Sequence, residues 1–543
     1  MKATTKLFGL LLLSVLLAGC NRNQHWSNLD KEAFRHYIEK FNNDDTLNLH
    51  ENVIEATRMI VNDQSWPFLK ENIPFFNCPD PEIEEVYYYR WWTFRKHIKQ
   101  TDEGYVISEF MPRVPWAGKH NTISCPAGHH IREGRWLHDP VIIRDYIRFW
   151  LQGGGNPQTY SFWLAESLLQ YHKVHPDESL LIELLPELIE NYRQWESRRK
   201  DSTGLFWQYD GQDGMEVAIG GTGIRPTINT YMFADAVAIS AIAGFKGAIE
   251  TQNLFRDAAG FIREETLNRL WDDEAGFFKV LPYLNIQGQR ILSDSLSSAR
   301  ELLGYVPWYL ELVPPEQGYE VAWKHLMDPE GFYAPFGPTT AEQRHPGFRI
   351  NYFGHECQWN GPSWPFATSQ TLTALSNVLW KYPQEIIDKD DYLMVLKNYT
   401  ASHRFRQIPP DGDTITSDLL WIDENLNPFN GDWLARTRME VQGYSHVFRE
   451  RGIYYNHSTY ADLIIEGLVG IKPTMENELI VSPLIPDNWD WFCLDDVRYK
   501  NHIISIVWDR TGQKYKLGKG MRIMVDGRLR VKSKRLKPVQ IDL

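Results

Sequence analysis

The sequence predicts a mainly α-helical protein, a toroid of paired helices, followed by a small antiparallel β domain. From about residue 29 to residue 475, long segments place apolar residues at three- and four-residue intervals, the period of an amphipathic helix. From 476 to 543 the pattern changes to short apolar runs bounded by turn residues, which is typical of antiparallel strands. No fixed-period repeat is visible, which disfavours the competing solenoid of stacked helix pairs.

The helical segments are separated by Gly-, Pro- and Asp-rich connectors. Asp139-Pro140 and Asn156-Pro157 are helix-start signals, because an N-cap residue precedes a proline of the first turn. Several connectors are long and aromatic, so we expect the loops at one end of the ring to carry the site. The predicted helices are 31–41, 82–99, 140–151, 158–172, 180–198, 227–242, 253–270, 297–312, 362–379 and 457–468.

The C-terminal segment contains four β-type runs. They are 478–482, 503–508, 514–517 and 521–525, with turns predicted at Thr511-Gly512 and Asp526-Gly527. These runs predict that 476–543 forms a β domain packed on the helical domain of 29–475.

The amino-acid composition narrows the range of functions that this protein could have. A net charge of −13 argues against a nucleic-acid partner, although a few local arginines could still hold an anionic sugar. The chain has 21 Trp, and 13% of its residues are aromatic. Either the tryptophans are core residues of a large helical domain, or several of them line a carbohydrate-binding cleft. We favour the second interpretation.

The N-terminus is typical of an export signal. Lys2 and Lys6 precede an apolar run at 7–17, which is too short to span a bilayer comfortably. Leu17-Ala18-Gly19-Cys20 resembles a bacterial lipobox. We therefore expect a signal peptide at 1–19, a lipid anchor at Cys20, a tether at 20–28 and a location on the periplasmic or outer-membrane face of a bacterial envelope. An ordinary secretory signal with a chance cysteine is the alternative.

The other cysteines are either paired in disulfides or buried as free thiols. They are Cys78, Cys125, Cys357 and Cys493.

Two acidic loops rich in aromatic residues stand far apart in the sequence. Asp423 and Glu424 lie between Trp421 and Trp433 in a segment rich in Asn, Pro and Gly. The second loop, 206–216, contains Trp207, Tyr209, Asp213 and Glu216. Two carboxylates flanking a sugar bond are the machinery of glycoside hydrolysis.

Three motifs in this order resemble those of the six-hairpin (α/α)6 glycosidases. They are Gly211-Gln212-Asp213, Trp359-Asn360-Gly361-Pro362-Ser363-Trp364 and Glu424-Asn425-Leu426-Asn427-Pro428. The similarity is to glycoside hydrolase family 63 and the related mannosylglycerate-hydrolase-like domain, over about residues 60–475. It implies an (α/α)6 toroid and inverting hydrolysis of an α-linked oligosaccharide or glycoside. Asp213 would be the general acid and Glu424 the general base, without a cofactor.

The sequence departs from the family pattern directly after the acid. The family continues Asp-Asn-Ser-Pro, whereas this chain reads Asp213-Gly214-Met215-Glu216. Glu216 is therefore the reserve acid, and Asp423 is the alternative base. The acid needs a pKa raised by an apolar or anionic environment, and Trp207 and Tyr209 could supply one for Asp213.

Further residues are candidates for substrate binding. Trp359 and Trp364 either stack on a sugar ring or pack in the core and fix the start of the following helix. Arg135 and Asp139 bind substrate or form buried salt bridges between helix ends, and the segment 455–458 faces the same cleft or caps the next helix. No metal-ligand spacing is present, so we predict no metal site. The predicted substrate-binding set is Arg135, Trp136, Asp139, Trp207, Tyr209, Gln212, Arg225, Asn229, Trp359, Asn360, Gly361, Trp364, Trp421 and Asn425.

Two rival functions stay open at this point. A polysaccharide lyase would use Tyr and His to abstract the C5 proton of a uronic acid and would yield an unsaturated product. A non-catalytic glycan-binding lipoprotein would show no turnover.

Overall fold

The computed structural model describes residues 27–45, 58–287 and 289–543, and the predicted signal peptide and Cys20 lie outside these residues. The helical part is an (α/α)6 toroid, as predicted. Its α-helices are Arg35–Asn43, Asn62–Asn72, Pro81–His97, Ala127–Gly134, Pro140–Leu151, Leu164–Val174, Glu178–Arg199, Pro226–Phe245, Ile249–Leu270, Val306–Tyr309, Pro365–Lys381, Lys389–Ser402, Leu434–Val441 and His446–Arg449. Short 3-10 or π-helical pieces are Lys31–Phe34, Lys119–Asn121, Gly211–Asp213, Leu302–Tyr305, Tyr319–His325, Glu450–Gly452 and Leu463–Leu468.

The helices of the inner ring of the toroid and those of the outer ring differ in how their apolar residues are distributed. The inner helix Pro226–Phe245 is apolar and buried on nearly every side. It is long and apolar enough to cross a membrane by composition, but 72% of its most apolar window is buried inside the fold. The outer helix Ile249–Leu270 instead buries one stripe at helical spacing. Gly247, with φ +71°, makes the short turn that reverses the chain between them.

Most predicted helices are confirmed within a few residues, and 140–151 agrees at both ends. The helix predicted over 297–312 is wrong, because only short turns form at Leu302–Tyr305 and Val306–Tyr309. Gly304 lies against Phe277, where a Cβ would meet the ring at 2.3 Å, so these apolar residues pack as a tight irregular core segment. The helix predicted from 158 begins only at Leu164.

The C-terminal part forms an antiparallel sheet of five strands. Its order is Arg528–Ser533, Gly520–Val525, His502–Asp509, Trp491–Tyr499 and Phe75–Asn77. The last strand comes from the N-terminal half of the chain and pairs with residues 493–495, so the sheet is joined to the toroid through backbone hydrogen bonds. The strand predicted at 514–517 is wrong, because this segment is an irregular connection.

The remaining strands form small sheets within and beside the toroid. Ile471–Lys472, Glu478–Val481 and Val539–Asp542 form a three-stranded sheet where the helical part ends. The others are Arg58–Met59, Ile98–Thr101, Gly104–Ile107, Trp207–Gln208, Gly223–Ile224, Trp271–Asp272, Phe277–Phe278, Leu281–Ile286, Gln289–Leu292, Arg404–Gln407 and Ile415–Leu420.

Candidate active site

A cavity of about 200 Å³ opens at the end of the toroid where the inner helices begin. Its walls come from the loops that precede those helices, so residues far apart in sequence converge there, as expected for a site on loops held by a rigid scaffold. The lining residues are Glu109, Phe110, Trp116, Ile123, Cys125, Tyr160, Gly214, Glu216, His355, Glu356, Cys357, Trp359, Trp364, Phe366, Glu424, Arg451, Tyr455 and His457.

Glu216, the reserve acid, lines this cavity. Burial and, to a smaller extent, the negative charge of Glu424 together raise the pKa of its carboxyl to about 8. The residue is fixed through its backbone, because the Trp359 amide donates to the Glu216 carbonyl at 3.0 Å. Glu216 is therefore largely protonated at neutral pH and can donate a proton to a group in the cavity.

Glu424, the predicted base, lines the same cavity and is paired with Arg451. Arg451 Nε lies 2.6 Å from Glu424 Oε1, and its Nη2 lies 3.1 Å from Oε2. Arg451 Nη1 also donates to Glu356 at 3.1 Å. Burial alone would lower the pKa of Arg451, but Glu424 raises it, so the guanidinium stays charged. The guanidinium donates to both oxygens of Glu424, so the two groups form a buried bidentate ion pair.

Glu109 is a third carboxyl in the cavity, and no sequence motif pointed to it. Burial raises its pKa to about 8, although the Tyr455 hydroxyl donates to it at 2.5 Å and opposes that shift. Tyr455 and His457, which the sequence left open between two roles, both line the cavity. Glu109 can therefore offer a neutral carboxyl group to a substrate hydroxyl.

An aromatic wall is built from the second predicted motif. Trp359 and Trp364 stack with ring centroids 4.5 Å apart and both line the cavity. Trp364 also precedes the helix Pro365–Lys381, which agrees with the role at a helix start, while stacking on a sugar stays a prediction. Gly361 is required by close packing, because a Cβ there would lie 2.1 Å from the Arg349 carbonyl oxygen. Asn360 lies behind the wall, and its carbonyl accepts from the Arg349 amide at 2.8 Å.

Asp213 lies behind the cavity wall, which does not fit its predicted role as the acid. Its side chain is fully buried; Arg225 Nε lies 2.7 Å from Oδ2, and the Thr227 hydroxyl donates to the same oxygen. Gly214, in the left-handed conformation at φ +71°, turns the chain so that Glu216 reaches the cavity instead. The loop of the family motif therefore reaches the cavity through Gly214 and Glu216, and not through Asp213.

The Asp213–Arg225 pair predicts a structural effect for Asp213→Asn. The amide would leave the buried Arg225 charge uncompensated, so we expect the free energy of unfolding to fall by about 3–5 kcal/mol. Denaturant titration measures this loss, and turnover per folded molecule should stay within a few-fold of wild type. Asp210→Asn, in the same loop, is the control. A fully stable Asp213→Asn without turnover would return Asp213 to the role of acid.

Asp423, the alternative base, also points away from the cavity. Arg436 Nε lies 3.1 Å from its Oδ2, and the Trp421 indole donates to the same oxygen at 3.3 Å. Its Oδ1 accepts from the Glu424 amide at 2.9 Å. Asp423 and Trp421 are thus structural residues that hold the loop presenting Glu424. Asn425 has a similar role, since it donates to the Glu356 carbonyl at 3.0 Å.

The charged segment 132–139 is structural, which was the alternative interpretation. Arg135 is fully buried and bonds Asp462 at 2.8 Å and Glu466. The Trp136 indole donates to Asp462 at 2.7 Å. Asp139 caps the helix Pro140–Leu151 through the Val141 amide. None of the three predicted residues lines the cavity.

Five further predicted binding residues lie outside the lining. Asn229 donates to the Phe206 and Arg225 carbonyls at 2.8 Å and anchors the acidic loop to its helix, as Arg225 does through Asp213. Trp207, Tyr209 and Gln212 instead surround Arg199, whose guanidinium lies 4.7 Å from the Trp207 ring. These residues support the loop that carries Glu216 and do not face the cavity.

The described part of the chain contains no group of three His, Cys, Asp or Glu side chains arranged to hold a metal ion. Cys78, Cys125, Cys357 and Cys493 are free thiols. Cys357 lines the cavity, and its Sγ lies 3.4 Å from Glu424 Oε2.

A toroid of paired helices with a carboxyl-lined cavity at its loop end fits the glycoside hydrolase class, and the sequence comparison agrees with this class. Residues 119–458, more than half of the chain, match the mannosylglycerate hydrolase MGH1-like glycoside hydrolase domain, and the chain belongs to this family. Residues 474–530 match the C-terminal domain of glycosyl hydrolase family 65. The predicted resemblance is confirmed.

Among solved structures, one named "Sialidase" is 37% identical with a TM-score of 0.84 and aligns with 94% of this chain. The chain spans only 44% of that protein's length. The GH63 mannosylglycerate hydrolase of Thermus thermophilus, in complex with glucose, is 11% identical with a TM-score of 0.48, covering 70% of this chain and 99% of that one. The GH78 rhamnosidase of Bacillus sp. GL1 is 12% identical with a TM-score of 0.48, and the alignment covers 82% of this chain and 41% of that one.

Proposed function

We propose that the chain is an inverting glycoside hydrolase that cleaves an α-linked, uncharged sugar, with Glu216 as general acid and Glu424 as general base. One observation carries the proposal: two carboxyl groups share a cavity in contrasting environments. Glu216 has a pKa of about 8 and no hydrogen bond from another side chain in the described part of the chain, whereas Glu424 is paired with Arg451. Opposite environments for two carboxyls define an acid and a base.

The reaction uses both groups at once. Glu216 gives its proton to the glycosidic oxygen as the bond to the anomeric carbon breaks. Glu424 takes a proton from a water molecule, whose oxygen attacks that carbon from the opposite face, so the configuration inverts. Glu216 is left ionised and Glu424 protonated, and exchange with solvent restores both.

Arg451 favours a base over a nucleophile at Glu424. Both carboxylate oxygens already accept hydrogen bonds from one guanidinium, at 2.6 and 3.1 Å. Bidentate pairing fixes the carboxylate in one orientation and withdraws charge from its oxygens. Such a group is suited to orienting water, and less suited to forming a covalent bond to the sugar.

The charge of the cavity argues for an uncharged sugar. Arg451 is the one lysine or arginine among the described lining residues, and it is committed to Glu424 and Glu356. A uronic or sialic acid would bring a carboxylate beside Glu356 and Glu424, and the described lining offers no lysine or arginine that is free to pair with it. This disfavours the lyase alternative and a sialic-acid substrate, even though the similar structure is named a sialidase.

A panel of α- and β-linked disaccharides and uronic-acid oligomers tests the proposal. We expect wild type to release a neutral monosaccharide from an α-linked substrate, and Glu216→Gln to release none. An unsaturated product absorbing in the ultraviolet would support the lyase, and glycan binding without turnover would support the binding protein.

The pKa of Glu216 predicts that kcat/KM decreases on the alkaline side of its pH profile. The proton donor is lost as pH rises through about 8, so kcat/KM should fall about tenfold per pH unit above that value. Steady-state assays from pH 5 to 10 measure this decrease. Glu109→Gln is the control, because Glu109 also has a pKa of about 8. Absence of the decrease in that variant would assign it to Glu109 instead.

We also propose that Cys20 anchors the enzyme to a bacterial membrane through lipid. The support is the apolar run ending in Leu17-Ala18-Gly19-Cys20. Cys20→Ser should move the protein from the membrane to the soluble fraction of a fractionated cell. Retention of a cleaved Cys20→Ser protein in the membrane would place the attachment elsewhere.

A further inference from the structure

A second cavity, of about 360 Å³, lies at the opposite end of the toroid. The catalytic cavity is lined by loops before the inner helices, whereas this one is lined by their later turns and by the segment that follows the last helix. Trp380 and Lys381 end the helix Pro365–Lys381, whose first turn holds Phe366 of the catalytic cavity. The two cavities are therefore different sites.

An aromatic layer separates the two cavities. The buried His129 ring lies 4.5 Å from Phe366 on the catalytic side and 6.2 Å from Tyr309 on the other. Trp163 packs against Tyr309 at 5.5 Å and completes the layer. A sugar in the catalytic cavity does not extend through these rings, so a ligand of the second cavity binds independently.

The second cavity is rich in positive charge. Its lining contains five basic residues and three acidic ones. Several are paired within the protein: Lys381 bonds Glu311 at 2.5 Å, and Lys472 donates to Ser376 at 2.6 Å. The Lys173 ammonium has no hydrogen-bond or ion-pair partner in the described part of the chain. The negative charges of Glu166 and Glu311 act on Lys173, but no side chain of the described residues forms a hydrogen bond or ion pair with its ammonium, which leaves it able to bind an anionic ligand.

Other groups of the lining suit a polyhydroxylated ring. Glu166 has a buried carboxyl oxygen, Oε2, that accepts no hydrogen bond, while Gln170 donates to its other oxygen at 2.6 Å. Trp380 and Phe233 supply apolar faces. A sugar hydroxyl can donate to Glu166 while the ring packs on an aromatic face.

We propose that this cavity is a second binding site for a small carboxylate-bearing sugar, held by Lys173 through its carboxylate and by Glu166 through a hydroxyl. The site accepts an acidic sugar, whereas the catalytic cavity disfavours one. The inference does not depend on the assignment of Glu216 and Glu424.

Isothermal titration of the full-length protein with glucuronate tests the proposal. Wild type should bind, and Lys173→Met should weaken binding at least about tenfold, because a charged hydrogen bond is lost. Lys324→Met, an exposed lysine outside the cavity, is the matched control and should bind as wild type does. Lys173→Gln, which keeps a polar side chain but removes the charge, gives a second variant should Lys173→Met fail to fold.

Two further binding measurements determine in which cavity the ligand binds and which of its groups the site recognises. Glu216→Gln should bind glucuronate unchanged, since the catalytic cavity is separate, and glucose should bind at least about tenfold more weakly than glucuronate. Inorganic phosphate should also bind more weakly. The assignment would be overturned if wild type bound no glucuronate, or if Lys173→Met and Lys173→Gln bound it as wild type does. Loss of binding in Glu216→Gln, or equal binding of phosphate or glucose, would also overturn it.

Discussion

Glu216→Gln is expected to lower kcat by roughly 10²- to 10⁴-fold on a substrate whose leaving group is an alkyl sugar alcohol. Glutamine keeps the size of the side chain but has no acidic proton to deliver. The loss should shrink sharply on an aryl glycoside with an acidic phenol as leaving group, because that oxygen departs without protonation. Comparing kcat for the two substrate types in wild type and variant measures the effect.

The matched control for this experiment is Glu109→Gln. Glu109 lines the same cavity and also has a pKa of about 8, but its carboxyl is engaged by Tyr455. We expect a smaller loss in Glu109→Gln, one that does not depend on the leaving group. Equal losses of Glu216→Gln on both substrate types would contradict the assignment of Glu216 as acid.

Glu424→Ala is expected to abolish hydrolysis, with restoration of activity by sodium azide. Azide is already an anion, so it needs no base, and the truncated side chain leaves space for it beside Arg451. Glu356 still pairs with Arg451 at 3.1 Å, which keeps the guanidinium compensated in the variant. The measurement is the rate of leaving-group release with increasing azide, followed by identification of the product.

The configuration of the azide product shows on which face of the sugar Glu424 acts. Direct attack on an α-linked substrate from the side of the missing base gives a β-glycosyl azide. An α-glycosyl azide would require two displacements and would contradict the inverting scheme. Glu424→Gln, which fills the same space, should show little rescue by azide.

The helical architecture followed from local patterns, and its failures have local causes. The helix at 140–151 was predictable because Asp139 and Pro140 mark its start and apolar residues repeat through it. The segment 297–312 has a similar apolar content but packs as an irregular core turn around Gly304. Periodicity alone does not distinguish these two outcomes.

The active site was only partly predictable, because a motif fixes a position in sequence and not a direction in space. Glu424, Trp359 and Trp364 each sit in a compact sequence motif, and all three line the cavity. The motif favours Asp213 over Glu216, because the left-handed turn at Gly214, which places Glu216 in the cavity, has no clear signal in the sequence. Glu109 and Arg451 had no local signal, since long-range packing alone brings them to Glu424.

The most direct test is proton NMR of the first sugar released from an α-linked substrate by wild type, recorded before mutarotation. The acid–base pair of Glu216 and Glu424 predicts that the β-anomer forms first and that the α-anomer grows in later. Initial release of the α-anomer would mean retention of configuration, and would contradict the assignment of Glu424 as a general base.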